Sequence, residues 1–342
     1  MRILRWIFFI VVIGCIIYLL GPKPPVPVYD KILPAIPATS IAIEEYIKSN
    51  ESLHKIKPGN EAQIVWASDS LKQKTPYAIV YLHGFTASHE EGSPIHTNIA
   101  KEFGCNLYLA RLAEHGIDTT EPMANLTPEK YWESAKQALA IGKQLGDKVI
   151  LIGTSTGGTN ALQLAATYPD DIASLILMSP NIAIFNKDAY LLDKHWGFQL
   201  AKMITGSDHV TAADNRPIYK KFWYPYYPLH AVVELQEMLE TTMTKETFQK
   251  VKQPLLMLYY YKDSIHHDST VSVPAMLNMF DQLGSTLKIK EAMPNTGNHV
   301  IGSYIKSNDL LHVQLAIEDF MVKKLNLKKV PTPILINYNS NN

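Results

Sequence analysis

Three side chains with complementary acid–base chemistry stand where elements of this chain meet. Ser155 lies in Gly153-Thr154-Ser155-Thr156-Gly157-Gly158, directly after the apolar run 149–152 and before a helical stretch at 160–166. A serine at the apex of a strand–turn–helix, with glycines two residues to either side, has the form of a nucleophile elbow. The turn is strained, its neighbours crowd, and the hydroxyl is held out above the carboxyl end of the strand. A serine hydroxyl is a weak nucleophile at neutral pH, so it needs a base beside it. Of the twelve histidines, His299 has the right address, in the glycine-bearing loop 294–301 after the last strand. The imidazole in turn needs a carboxylate to fix its tautomer. Asp263, just past the strand 254–261, is the preferred acid; Asp268, in the same loop and three residues before Val271, competes with it. The expected triad is therefore Ser155, Asp263 and His299. The strand 77–82 runs into His83-Gly84-Phe85, where glycine lets the backbone turn an amide toward the serine. The backbone N–H groups of Phe85 and Thr156 are the expected donors to an oxyanion.

Other reactive residues carry less. His115, in Glu114-His115-Gly116, reads as a residue that shapes its loop by hydrogen bonding. Cys105 reads as a small core residue. His266 and His267 are adjacent, so their side chains point apart, and only aspartates are near; no zinc site is expected and no metal or other cofactor is required. Asn125-Leu126-Thr127 is a formal glycosylation sequon of little weight.

These residues must be positioned by elements, and the pattern supplies them. Strands are expected at 62–67, 77–82, 105–111, 149–152, 172–178, 254–261 and 286–292. Helices are expected at 41–52, 127–145, 160–166, 271–283 and 308–325, the second opened by Thr127 and Pro128. Alternating strands and helices imply an α/β fold with a mostly parallel sheet and right-handed crossovers. The stretch 182–252 is too long for one crossover and reads as a helical cap over the catalytic face, with helices at 191–204, 229–238 and 245–252. Its aromatic run Phe222-Trp223-Tyr224-Pro225-Tyr226-Tyr227-Pro228 either lines a pocket or packs the cap onto the core. The tail 326–342 is polar and proline-broken, and loose order is expected there.

Composition bounds the remainder. At 342 residues with 46% hydrophobic residues, the chain is long enough for a full core. Lysine plus arginine equals aspartate plus glutamate at 32 each, so no net field points to nucleic acid. Two cysteines make no disulfide framework. Residues 6–20 carry no charge and follow Arg2 and Arg5, which predicts an uncleaved signal anchor with the catalytic domain on the non-cytoplasmic side. A lipoprotein signal ending at Cys15 and a cleaved signal peptide are the alternatives. Residues 1–28 thus form anchor and proline-rich spacer, and 29–342 one catalytic domain carrying the cap.

The order serine, acid, histidine, with His83-Gly84-Phe85 ahead of the elbow and Gly297-Asn298-His299-Val300 after the last strand, resembles the α/β-hydrolases of the serine esterase, lipase and monoacylglycerol-lipase-like type. The match covers about residues 77–324. It implies an eight-stranded sheet, a helical cap and cofactor-free hydrolysis of a small-molecule acyl ester. Two departures stand out: Glu114 occupies a position where monoacylglycerol lipases usually carry glycine, and the acid loop is longer than usual. An amidase or peptidase on the same fold would need an acidic residue for an amine terminus; Glu234, Glu237 and Glu240 lie in the cap, and none is singled out. A non-catalytic binding module on this fold is the third reading, and such modules commonly lose a triad member.

Overall fold

The computed structural model describes residues 2–331. The chain runs α1 (Arg2–Leu19), α2 (Ser40–Glu51), β1 (Gln63–Val65), β2 (Thr75–Leu82), α3 (Ile95–Glu102), β3 (Asn106–Leu109), α4 (Pro128–Leu145), β4 (Gly146–Thr154), α5 (Thr156–Thr167) and β5 (Ile172–Met178). The cap follows with α6 (Gly197–Thr205), β6 (His209–Thr211), α7 (Pro217–Phe222), β7 (Tyr226–Pro228), α8 (Leu229–Thr242) and α9 (Lys245–Lys250). The chain then returns to the sheet with β8 (Leu255–Tyr259), α10 (Val273–Gln282), β9 (Lys288–Ala292) and α11 (Leu310–Lys323).

The main sheet has seven strands in the order β1-β3-β2-β4-β5-β8-β9. Every pairing is parallel except β1 with β3. The central strands are apolar on both faces because both faces are covered; Ala78–Leu82 and Ile150–Ile152 are wholly buried. On one face lie α4, α5 and α10, with Trp132, Leu139, Leu162 and Met276 in a single apolar cluster. On the other lie α3 and α11, with Ile95, Ile99, Val313 and Ile317. Among the described residues the sheet is one strand short of the eight that the resemblance implies. Before β1 the described chain makes an isolated bridge, Ile56 with Ile117, and no further strand of the described residues extends that edge.

The helix ends follow their sequence signals. Thr127 caps α4 by accepting from Lys130 N, with Pro128 at the first turn, and Ser272 caps α10 through Ala275 N. The expected cap helix at 191–204 is shorter, because the chain first makes a 3-10 turn at Lys187–Leu191 and then reaches α6 through Trp196 in the left-handed region. The cap also holds a small antiparallel pair, β6 with β7, that the sequence did not suggest. Most of the tail lies outside the described residues.

α1 has no buried residue and a mean hydropathy of 2.2, and is long and apolar enough to cross a membrane. The chain after α1 meets the body at Gly21 and Pro22, through His195 and Trp196, and again from Val28 onward. Lys136, fully buried on α4, pairs with Asp30 at 2.9 Å and with Glu133 at 2.8 Å, and Trp132 Nε1 donates to Asp30 O.

Candidate active site

β4 delivers Ser155 to the carboxyl edge of the sheet between β2 and β5, and α5 starts at the next residue. Ser155 has φ 52° and ψ −121°, a strained conformation for a residue with a Cβ. The framework makes that strain tolerable: Ser155 N donates to Met178 O on β5, while Ser155 O accepts from Gly158 N and Asn181 N. Gly157 is required at the elbow because a Cβ there would run into the carbonyl oxygen of Leu82, at the end of β2.

His299 comes from the loop after β9. Its Nδ1 donates to Asp268 Oδ2 at 2.6 Å, with the imidazole 9% exposed and the carboxylate 0% exposed. Asp268 Oδ1 accepts from Thr270 N at 2.8 Å and Val271 N at 3.1 Å. Burial alone would raise the Asp268 carboxyl; the His299 imidazole and these amides outweigh it, and the net shift is downward. Burial alone would lower His299; Asp268 outweighs it, Glu91 adds to it, and the imidazole is pushed up from its ordinary 6.5. Nε2 of His299 is buried and has no hydrogen-bond partner among the described residues.

The preferred acid, Asp263, is not brought to His299. β8 ends at Tyr259, and Tyr261 then pairs with His267 in an antiparallel bridge. Residues 262–266 therefore form a small hairpin that carries Asp263 away from the sheet, with 47% of its side chain exposed. Asp263 Oδ1 accepts from Ile265 N and His266 N and faces His266 Nδ1 at 3.0 Å, which holds its carboxyl down at about 2. Asp268 re-enters at the base of the hairpin, its N–H bonded to Tyr260 O. The competing acid thus occupies the position assigned to Asp263.

The loop after β2 is held in place by two histidines. His83 Nδ1 donates to Gly84 O, and its Nε2 accepts from Leu112 N. His115 Nδ1 donates to Ala113 O, and its Nε2 accepts from Thr86 N at 3.0 Å. Both rings are buried and held neutral, burial pushing His115 down to about 4. Glu114 takes φ 64°, the left-handed conformation for which glycine is the natural residue. Thr156 opens α5, so its N–H has no acceptor within the helix.

Phe85, Ser155 and His299 line one cavity of about 340 Å³. Ile184, Val232, Leu235 and Val271 give it an apolar wall, and Glu91, Asn298 and Lys306 a polar one. The aromatic run of the cap does both things expected of it. Trp223 and Tyr227 line the cavity, and Phe222 and Trp223 pack with Ala87, Val300 and Ile305. Glu234 is held by His230 at 3.1 Å and is not among the residues lining this cavity, nor are Glu237 and Glu240. Cys105 is buried, its thiol pushed up to about 12. Among the described residues no group of three or more metal-ligating side chains converges. The residue that the sequence reading missed is Glu91, buried in the cavity wall; its neighbours Glu90 and His89 mask it, and no spacing marks it.

Residues 77–271 match the model of the α/β hydrolase fold family. This chain belongs to that family. Among curated proteins it is similar to a thermostable monoacylglycerol lipase of Bacillus sp. (strain H-257), 24% identical over 190 residues that cover 56% of this chain and 72% of the relative. Among solved structures it resembles one from a study of LipS and LipT, two metagenome-derived lipolytic enzymes, with TM-score 0.62 and 20% identity over 79% of this chain and all of the other. It also resembles Est1E of Butyrivibrio proteoclasticus with ferulic acid bound, with TM-score 0.53 and 18% identity over 78% and 95% of the two chains. A third is the monoacylglycerol lipase of Paleococcus ferrophilus, with TM-score 0.53 and 15% identity over 77% and 98%. At these identities the structural likenesses speak for the fold. The family makes the chain an α/β hydrolase, and it has lipase- and esterase-like relatives.

Proposed function

We propose that this chain is a serine carboxylester hydrolase with the triad Ser155, His299 and Asp268. The observation that carries the reading is the arrangement of His299, with Nδ1 on a fully buried carboxylate and Nε2 unpartnered in the cavity that Ser155 lines. Ser155 Oγ attacks the acyl carbon while His299 Nε2 takes its proton, and Asp268 stabilises the imidazolium that forms. The carbonyl oxygen becomes an oxyanion between the N–H groups of Phe85 and Thr156. Collapse expels the alcohol, which receives the proton from His299. Water then attacks the acyl-enzyme by the same route and releases the acid.

The apolar wall of the cavity suits an acyl chain and the polar wall a hydroxylated or weakly charged alcohol. The names of the monoacylglycerol lipase and of the lipolytic enzymes among the similar proteins agree with that class. α1 is the membrane anchor in this reading, with the catalytic domain on the non-cytoplasmic side. Its end is fastened to the cap where Trp196 Nε1 donates to Ile17 O and His195 Nδ1 to Gly21 O. The test is labelling of the full-length chain by a fluorophosphonate, together with turnover of short and long acyl esters and aminoacyl amides. Labelling lost in Ser155→Ala, with ester turnover far above amide turnover, is expected. Labelling that survives Ser155→Ala, or faster amide turnover, overturns the reading.

A further inference from the structure

Glu91 is an acid inside the active centre that the triad does not use. It lies on the 3-10 turn His89–Gly92 after the oxyanion loop, and only 2% of it is exposed. Its Oε2 accepts from Gly84 N at 2.5 Å. Gly84 is the residue before Phe85, so this bond fixes the His83–Gly84 peptide, one peptide ahead of the one that carries the Phe85 N–H. A Cβ on Gly84 would lie 2.9 Å from both Glu91 oxygens and 2.9 Å from Ser155 Cβ. The carboxyl and the serine therefore face each other across the one residue that leaves the space open. Trp223 of the cap lines the cavity beside Glu91, and the carboxyl lines the same cavity as Ser155 and His299.

We infer that Glu91 is a positioning residue of the active centre, clamping the oxyanion loop through Gly84 N–H and adding a second negative group beside the His299 imidazole. The inference rests on the serine-hydrolase reading above.

Burial raises the Glu91 carboxyl to about 7, against the Gly84 amide, His299 and Trp223, which lower it. The groups around it leave His299 as its titrating partner. Tyr81 of β2, Tyr131 of α4 and Tyr219 of α7 are all pushed upward by burial and stay neutral. Beside Glu91 in sequence, burial pushes His89 down to about 4, and on α3 it pushes His96 down to about 3, so both are neutral near pH 7. Burial also raises the adjacent carboxyl of Glu90. Lys306 is engaged by Asp214 at 2.5 Å. An ionised Glu91 favours imidazolium on His299, and imidazolium cannot accept the serine proton. Removing that charge must therefore move the acid limb of activity to lower pH.

The experiment compares full-length wild type, Glu91→Gln and Glu91→Ala by the rate of fluorophosphonate labelling and by ester kcat and KM from pH 5 to 9. Glutamine keeps an acceptor for Gly84 N–H and cannot ionise. Glu91→Gln is expected to shift the acid limb down by about one pH unit. It is also expected to recover most of what Glu91→Ala loses at the plateau, a loss of at least about tenfold that falls in kcat rather than KM. An acid limb that coincides in wild type and Glu91→Gln overturns the inference, as does Glu91→Ala with wild-type labelling. If alanine prevents folding, the glutamine variant alone decides through its limb. Labelling does not depend on the choice of ester, so a wrong substrate class leaves the result readable. Wild type that labels at no pH removes the serine-hydrolase reading and this inference together.

Discussion

Replacing Asp268 by asparagine is the sharpest perturbation of the site, because the hydrogen bonds dictate what the amide must do. Asp268 accepts three N–H groups: His299 Nδ1 on one oxygen at 2.6 Å, and Thr270 N and Val271 N on the other at 2.8 and 3.1 Å. Asparagine has one oxygen, so its NH2 must face a donor whichever way it turns. Turned toward the backbone, it leaves the amides of Thr270 and Val271 without their acceptor, and the buried Val271 N–H alone costs about 1–3 kcal/mol. Turned toward His299, it spares both amides and forces the proton from Nδ1 to Nε2. The second arrangement wins. Nε2 is then a donor and cannot take the proton of Ser155.

The lost electrostatic support gives a similar scale. A unit charge pair at the 2.6 Å separation of this hydrogen bond is worth about 6 kcal/mol at an effective dielectric constant near 20. A wrong tautomer at such a site lowers kcat by about 10⁴, or about 5.5 kcal/mol. Asp268→Asn should therefore fold, as far-UV circular dichroism would report, and turn over a p-nitrophenyl ester about 10⁴-fold more slowly. Asp263→Asn alters only the exposed turn at 263–266, and its kcat should stay within about twofold of wild type. An Asp268→Asn enzyme keeping a tenth of its kcat, or a hundredfold loss in Asp263→Asn, would refute the assignment.

Three further outcomes follow from the same geometry. His299 must be neutral to act as base and is pushed above 6.5, so kcat/KM should rise with pH through a midpoint above that value; a midpoint below 6 would contradict the Asp268 pairing. Gly157→Ala drives a methyl group into the Leu82 carbonyl, and should lower the thermal midpoint by roughly 5 °C or more or leave the protein insoluble; an unchanged melting curve would show that the elbow has more room than described. The full-length chain should stay with membranes in high salt and alkaline carbonate and leave them in detergent. A chain beginning at residue 28, which keeps Asp30 on Lys136, should be soluble and active; release of the intact chain by salt alone would rule out a spanning α1.

What was legible in the sequence was whatever periodicity and local turn chemistry fix. The strand at Ile172–Met178 falls where its apolar run begins and ends, and α4 starts behind Thr127 as the cap signal requires. The serine was legible for the same reason: strand, glycines and helix are all contiguous with it. The acid was not, because its position depends on a pairing between Tyr261 and His267 that closes a loop across the carboxylates. Distance along the chain from β8 favoured Asp263. Once a hairpin forms, that distance no longer measures distance from the sheet, and the nearer residue in sequence becomes the farther one in space. His266 contributes as well, by giving Asp263 a local partner of its own. Residues 262–266 are thus a hairpin, with Asp268, the proposed triad acid, at its closing end.

Glu91 was hidden for a different reason. Two consecutive glutamates after a turn read as a solvated surface, and nothing in their spacing separates the two. The fold does, because the 3-10 turn at His89–Gly92 rotates Glu91 inward against Gly84 while Glu90 stays nearer the edge. A carboxyl is tolerated there because the Gly84 amide meets it and because it can hold its proton near neutral pH. The same burial that hid Glu91 from a reading of the sequence is what gives it an electrostatic hold on His299. In water such a charge would be strongly screened; inside the cavity wall it is screened far less.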